Sequence, residues 1–394
     1  MRRRLLIDRR GPLRRCALLS DGVLTDLAID NVDRPVWQGA IVQGRVGRLV
    51  SGLDAAFVEF GDSLAGFLAA GDVRPGRRDA RIGQLLRTGQ TITVQVKADA
   101  HDGKGAVLTM DLSLPGRFLV YNPLGDGLHI SRRLGKGPVV ASLRQRLSQD
   151  LPNGGGWIVR AEALHADPAL VLAEAETLLA DAHRARPAVS GQAPALLLPA
   201  PDAIRRALVE LPRDGLAEVR VEGPETLAAV RTACLGLAPD LLPLVTLHKG
   251  PDALFDQGDL DGAIAALADR HVPLAQGGSL VIDRTEALTV IDVNGGERGN
   301  PLATNLDACR EIARQLRLRN IGGIVVVDFV NMARAGDREA VIQCLSTAVA
   351  DDAVATHVYG MSRLGLVEVT RARRGPPLAD LVGGSRAEQG TRHE

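Results

Sequence analysis

Two aliphatic runs in the C-terminal part of the chain, "LTVIDVN" and "IVVVDFVN", each carry an aspartate near the end, Asp292 and Asp328. Both are rich in β-branched residues and are followed by polar or glycine-containing segments, the pattern of strands. Between them, "NLDACREIARQLRLRN" has apolar residues at helical spacing. Thr304 or Asn305 is the expected N-cap, with Asp307 in the first turn, arginines in the last and Gly322-Gly323 at the end. A strand, helix, strand unit of this length is most simply a right-handed crossover joining parallel strands. Both aspartates then emerge at the carboxyl ends of their strands, the edge where α/β sheets bind ligands.

The rest of the chain changes period from region to region. Residues 38–120 read as about five short strands separated by turn signals, which suits a small barrel. Residues 121–215 are mixed, and "DPALVLAEAETLLADAHRAR" is a long helix with Asp167 as N-cap and Pro168 at its first position. Residues 216–374 alternate strand and helix, an α/β pattern. From Gly375 the chain is rich in Gly, Pro and Arg and reads as a disordered tail. There is no internal repeat.

Composition adds limits. A chain of 394 residues, 45% hydrophobic and 24% charged, is a globular protein of more than one domain. The lysines are Lys97, Lys104, Lys136 and Lys249, so 43 of its 47 basic residues are arginine. Arginine suits phosphate oxygens, although GC-rich coding produces the same bias. Cys16, Cys234, Cys309 and Cys344 are scattered with no C-x-x-C pair, which argues against a structural zinc or a disulfide framework. No apolar run reaches the length of a membrane span, and "MRRRLLIDRR" has too short an apolar stretch for a signal segment, so a cytoplasmic location is expected.

Two carboxylates held close together repel unless a cation intervenes. Mg²⁺, with one or two protein carboxylates and its other positions left to water and phosphate, resolves the conflict and suits phosphoryl transfer. Asn294, on the same strand face as Asp292, is placed to orient the attacking water or a carboxylate. A strand-end aspartate is equally a common turn former or helix cap, and spacing alone leaves both readings open.

The motifs "TEALTVIDVN", "NLDACREIARQLRLRNIGGIVVVDFV" and "MSRLGLVEVTR", in this order, resemble the catalytic core of the ribonuclease E/G family. "SGLDAAFVEFGDSLAGFL", "LSLPGRFLVYNP" and "LHKGPDALFD" extend the likeness over residues 1 to about 378. The resemblance implies an α/β multi-domain fold. Residues 1–34 are the N-terminal part of an RNase H-like region and 35–118 an S1-type, OB-fold barrel. Residues 119–215 form an RNase H-like, 5′-sensor-like region, 216–374 a DNase I-like catalytic domain, and 375–394 the tail. It implies a Mg²⁺-dependent endoribonuclease cutting single-stranded RNA to 5′-phosphate and 3′-hydroxyl products. Asp292 and Asp328 match the family's metal ligands and catalytic pair, and Asn294 its accompanying asparagine. Phe57, Phe67 and Lys104 match RNA contacts of the barrel. Arg363, Arg371 and Arg373 are candidates to grip the RNA backbone, and a solvated arginine-rich face accounts for them equally. Asp283 and Glu286 are candidates for an outer shell, with surface placement the simpler reading. Arg160 matches the arginine of the family's 5′-monophosphate pocket, but Ala161 stands where a threonine is usual.

Other departures matter. The cysteine element through which family members share a zinc ion is missing from "RRGPPLADLVGGSRAEQGTRHE", so any homo-oligomer must rest on ordinary packing. The loop between Asn294 and Asn305 is shorter than the family's. No acidic or arginine-rich scaffold follows, so a degradosome-organising role has no support. The alternative function is an RNA-binding protein with weakened or lost catalysis, acting in ribosomal RNA maturation.

Overall fold

The structure, a computed structural model, describes residues 2–76, 80–101, 104–186, 193–211, 214–297, 299–350 and 352–382. Two compact units interleave along the chain. One comprises residues 1–34, 211–227 and 244–394, the other residues 35–210 and 228–243.

The second unit contains a closed five-stranded barrel, consistent with an OB-like domain. Its strands are Ile41–Val50, Ala55–Glu59, Gly66–Ala69, Thr91–Ala98 and Val107–Thr109, closed by pairing of the first with the fourth. Alternate residues such as Val58, Leu68, Val94 and Leu108 fill the interior. A separate four-stranded sheet carries the helices Pro138–Asp150 and Pro168–Arg184. The latter starts as expected, with Asp167 accepting a hydrogen bond from the Ala169 N–H at 2.9 Å.

The first unit holds two sheets. In one, Arg3–Arg10, Leu13–Ser20 and Val23–Asn31 form an antiparallel meander. Leu216–Val221 adds to its first strand in parallel, and Val245–Leu247 adds beyond that. The boundary drawn at residue 216 therefore differs from the pairing, which takes the "AEVRV" strand away from the C-terminal sheet and gives it to the N-terminal one.

The other sheet has six strands: β1 (His271–Pro273), β2 (Ser279–Arg284), β3 (Leu288–Asn294), β4 (Gly323–Asp328), β5 (Thr356–Met361) and β6 (Leu366–Arg371), in the order β1-β2-β3-β4-β6-β5. Between β3 and β4 runs α1 (Pro301–Leu318), and α2 (Ala335–Ala348) follows β4. The crossover joins parallel strands, as expected. Every second residue of β3 and β4 is buried: Thr289, Ile291, Val293, Val325 and Val327. Most pack with Ala308, Ile312 and Leu316 of α1 and Val341 and Leu345 of α2. The alternate positions face solvent.

Two local expectations change. The cap of α1 is Asn300, whose side chain accepts from the Ala303 N–H at 3.2 Å, with Pro301 at the first helical position. Thr304 and Asn305 lie inside the helix and are fully buried. The tail is ordered at its start: Leu378–Val382 forms a helix whose Leu378 is buried in the core beside Leu24 and Ile29. Residues 383–394 lie outside the described residues. No described helix is long and apolar enough to cross a membrane.

Candidate active site

Asp292 and Asp328 are register partners on the neighbouring parallel strands β3 and β4. Adjacent strands lie about 4.8 Å apart, and side chains at paired positions share one face. Both aspartates are exposed, on the face opposite α1 and α2. The crossover thus sets them side by side with no loop geometry involved. Asn294, also exposed and two residues beyond Asp292, donates from Nδ2 to Asp292 Oδ2 at 2.9 Å. That bond fixes one oxygen of the carboxylate.

The loop after β3 spans residues 295–300, with Arg298 outside the described residues. The loop after β4 is held from behind. Buried Asn305 donates from Nδ2 to the Val330 carbonyl at 2.8 Å, and its Oδ1 accepts from the Val330 N–H at 3.0 Å. This two-bond latch sits two residues beyond Asp328. Sequence reasoning missed it by assigning Asn305 to a cap. The available signal was Asn300-Pro301, a stronger helix start.

The pair offers hard oxygen donors at matching heights on adjacent strands, one of them oriented by an amide. Among the described residues no cluster of three or more His, Cys, Asp or Glu side chains could hold a metal. Two carboxylates with the remaining positions open to water and phosphate is the usual Mg²⁺ pattern, so the donor set fits that ion. None of the described cysteines is in a disulfide, and Cys16, Cys234 and Cys309 are buried.

The other candidates separate. Arg363 is exposed in the turn from β5 to β6, at the sheet end where Leu366 pairs with Asp328. Arg371 does not join it. Only 4% exposed, Arg371 donates from Nε to Asp352 Oδ2 at 2.7 Å and from Nη1 to the Ile321 carbonyl at 2.9 Å. Its fork is engaged inside the fold, which favours a structural role for Arg371 over the expected RNA contact. Burial by itself would raise the Asp352 pKa, but Arg371 outweighs it and holds the carboxylate below its ordinary value. Asp283 is ion-paired with Arg270 at the surface, and Glu286 is exposed in the turn before β3, away from Asp292.

On the barrel, Phe57 and Phe67 are register partners on antiparallel strands, with ring centroids 6.0 Å apart in an edge-to-face arrangement. Both are half-buried and neither belongs to the barrel core. The Arg48 guanidinium lies 5.2 Å from the Phe57 ring centroid. Lys104 is exposed. Arg160 donates from Nη1 to the Gly116 carbonyl and lies in the field of the buried Glu174 carboxylate. Ala161 and Glu162 beside it are exposed.

This α/β arrangement matches a known class. A model of the ribonuclease E/G family matches residues 113–374. The chain is 33% identical over 383 residues to Ribonuclease G of Escherichia coli strain K12, covering 91% of this chain and 77% of that protein. It is 35% identical over 393 residues to Ribonuclease E of the same strain, covering 93% of this chain and 36% of that protein. Against Ribonuclease E of Haemophilus influenzae the identity is 34% over 396 residues, 93% of this chain and 41% of that protein. The chain belongs to the ribonuclease E/G family.

Proposed function

We propose that this endoribonuclease cleaves single-stranded RNA with a Mg²⁺ ion held by Asp292 and Asp328, leaving 5′-phosphate and 3′-hydroxyl ends. The observation that carries the reading is the in-register pairing of the two exposed carboxylates. A divalent ion bound there neutralises the pair and supplies Lewis acidity toward water and phosphate. Asn294 holds Asp292 Oδ2 in place, and Asn305 fixes the chain beyond Asp328. The half-exposed Phe57 and Phe67, with Arg48 and Lys104, suit an S1-type barrel that stacks bases and tracks phosphates. Arg363 is the arginine placed to meet a phosphate near the aspartates. The six-stranded sheet with its helices is assigned to the DNase I-like catalytic domain, and the antiparallel strands of residues 1–34 to the N-terminal part of the RNase H-like region.

The test is cleavage of an end-labelled single-stranded RNA by purified protein, with Mg²⁺ and with chelator. Products carrying 5′-phosphates, formed with Mg²⁺ and absent without it, are expected. Equal cleavage after complete removal of divalent ions would overturn the metal assignment.

A further inference from the structure

The sheet face that carries Asp292, Asn294 and Asp328 also exposes apolar side chains. Val290 is 36% exposed, Ile324 50% and Tyr359 68%. Tyr359 is one of two tyrosines in a chain that is 3% aromatic, so its outward placement is not an overflow of core aromatics. It sits where β5 slips register against β6, between Val358 and Gly360. Such bulges re-aim side chains and recur next to active sites. The phenol oxygen lies 3.3 Å from Thr370 Oγ1. Thr370 pairs with Ile324, four residues before Asp328 on β4 and on the same face. The ring is therefore tethered at its edge, with its surroundings on the open face leading to the aspartates. Ile324 and Asp328 are about 13 Å apart along the strand, a separation that a few nucleotides bridge.

The neighbouring charge says which part of a strand would lie there. Exposed Glu368 pairs with Val326 on one side and Gly360 on the other. It repels a phosphate laid across this part of the face and leaves a base as the favoured group. Every base has a π-face, so an aromatic platform accepts it without demanding sequence.

We propose that Tyr359 is a base-stacking residue of the substrate path, holding a nucleobase of single-stranded RNA a few nucleotides from the cleaved phosphate, beside Ile324. This rests on Asp292 and Asp328 being the cleavage site. The experiment uses the full chain carrying Asp328→Asn, which binds without cutting, and short fluorescent oligoribonucleotides in Mg²⁺, read by anisotropy. Adding Tyr359→Ala should weaken binding about five- to a hundredfold. Tyr359→Phe should bind like the parent, while Tyr359→Leu should resemble alanine. With one abasic site moved along the oligonucleotide, the alanine penalty should vanish at a single position. Equal affinity of parent and alanine variant, or a penalty that persists at every abasic position, would overturn the proposal. Failure of the otherwise unaltered protein to cut RNA in Mg²⁺ would instead remove the cleavage site, and the binding comparison would still report on the ring.

Discussion

Asp292 and Asp328 occupy the same level of two adjacent parallel strands, as direct register partners. The alternation of β structure then sends both carboxylates to one face, while Ile291 and Val327 anchor the same strands in the core beneath them. The site is thus a property of the sheet, and a one-residue slip of either strand would turn an aspartate inward.

Replacing either proposed ligand should separate chemistry from binding. Asp292→Asn and Asp328→Asn each replace a charged oxygen donor by an amide and should reduce cleavage in Mg²⁺ more than about a hundredfold. Both positions are exposed, so thermal unfolding should hardly move. RNA affinity measured by filter binding should persist. Wild-type rates in both variants would show that the ion is held elsewhere.

The latch behind Asp328 gives a different signature. Asn305→Leu leaves the part-buried Val330 N–H and carbonyl without the partners that Asn305 supplies and should cost about 1–3 kcal/mol, by urea or by heat. With the chain beyond Asp328 released, kcat should fall while KM changes little. Asn305→Asp keeps the acceptor for the Val330 N–H and should lie between. A leucine variant with unchanged stability and kcat would show that the latch positions nothing.

The crossover, the barrel and the aspartate pair were legible because each rests on local pattern: β-branched runs, helical spacing and turn residues within a few dozen positions. What was missed depends on distant pairing. Nothing near "AEVRV" says that it lies beside Arg3–Arg10, and nothing near Arg371 announces that Asp352 will bury it. The helix cap failed for another reason, since Thr304 and Asn305 are good cap residues that Asn300-Pro301 outcompetes. The tail failed because its composition hides Leu378, whose burial depends on a core built from the N-terminal sheet.

The Asp352–Arg371 pair makes a pH prediction. The folded Asp352 pKa lies below its ordinary value of 3.8, so the pair's stabilisation is complete above that value and is lost as pH falls through the folded one. In Arg371→Met the carboxylate stays buried without its partner, at a cost of about 3–5 kcal/mol near neutral pH. Burial then raises its pKa, so the sign reverses and the deficit should shrink on acidification. Urea denaturation of both proteins at neutral and mildly acidic pH reads this directly. Because the guanidinium is buried, the salt dependence of RNA binding should keep its slope; a slope reduced by about one phosphate contact would restore Arg371 as an RNA ligand.

Assembly should be indifferent to zinc. No described cysteine is in a disulfide, and residues 345–394, where the family's zinc-sharing cysteines are expected, carry no cysteine, so sedimentation of the purified protein should be the same with and without strong chelator. Smaller species on chelation would reveal a shared metal.

The last prediction concerns the 5′ end of the substrate. Arg160 is the residue matched to 5′-phosphate binding, but its Nη1 is committed to the Gly116 carbonyl and the buried Glu174 carboxylate lies close enough to act on it. Ala161 can donate no hydrogen bond from its side chain. A missing hydrogen bond to a charged group removes about 1.5–3 kcal/mol, roughly ten- to a hundredfold in preference. One RNA sequence prepared with a 5′-monophosphate or a 5′-hydroxyl should therefore be cut at nearly equal rates. RNA recruited away from its 5′ end would then rest on the proposed barrel contacts, so Phe57→Ala should slow both substrates alike. A large advantage for the monophosphate that disappears in Arg160→Ala would show instead that this arginine turns from Gly116 to phosphate when RNA binds.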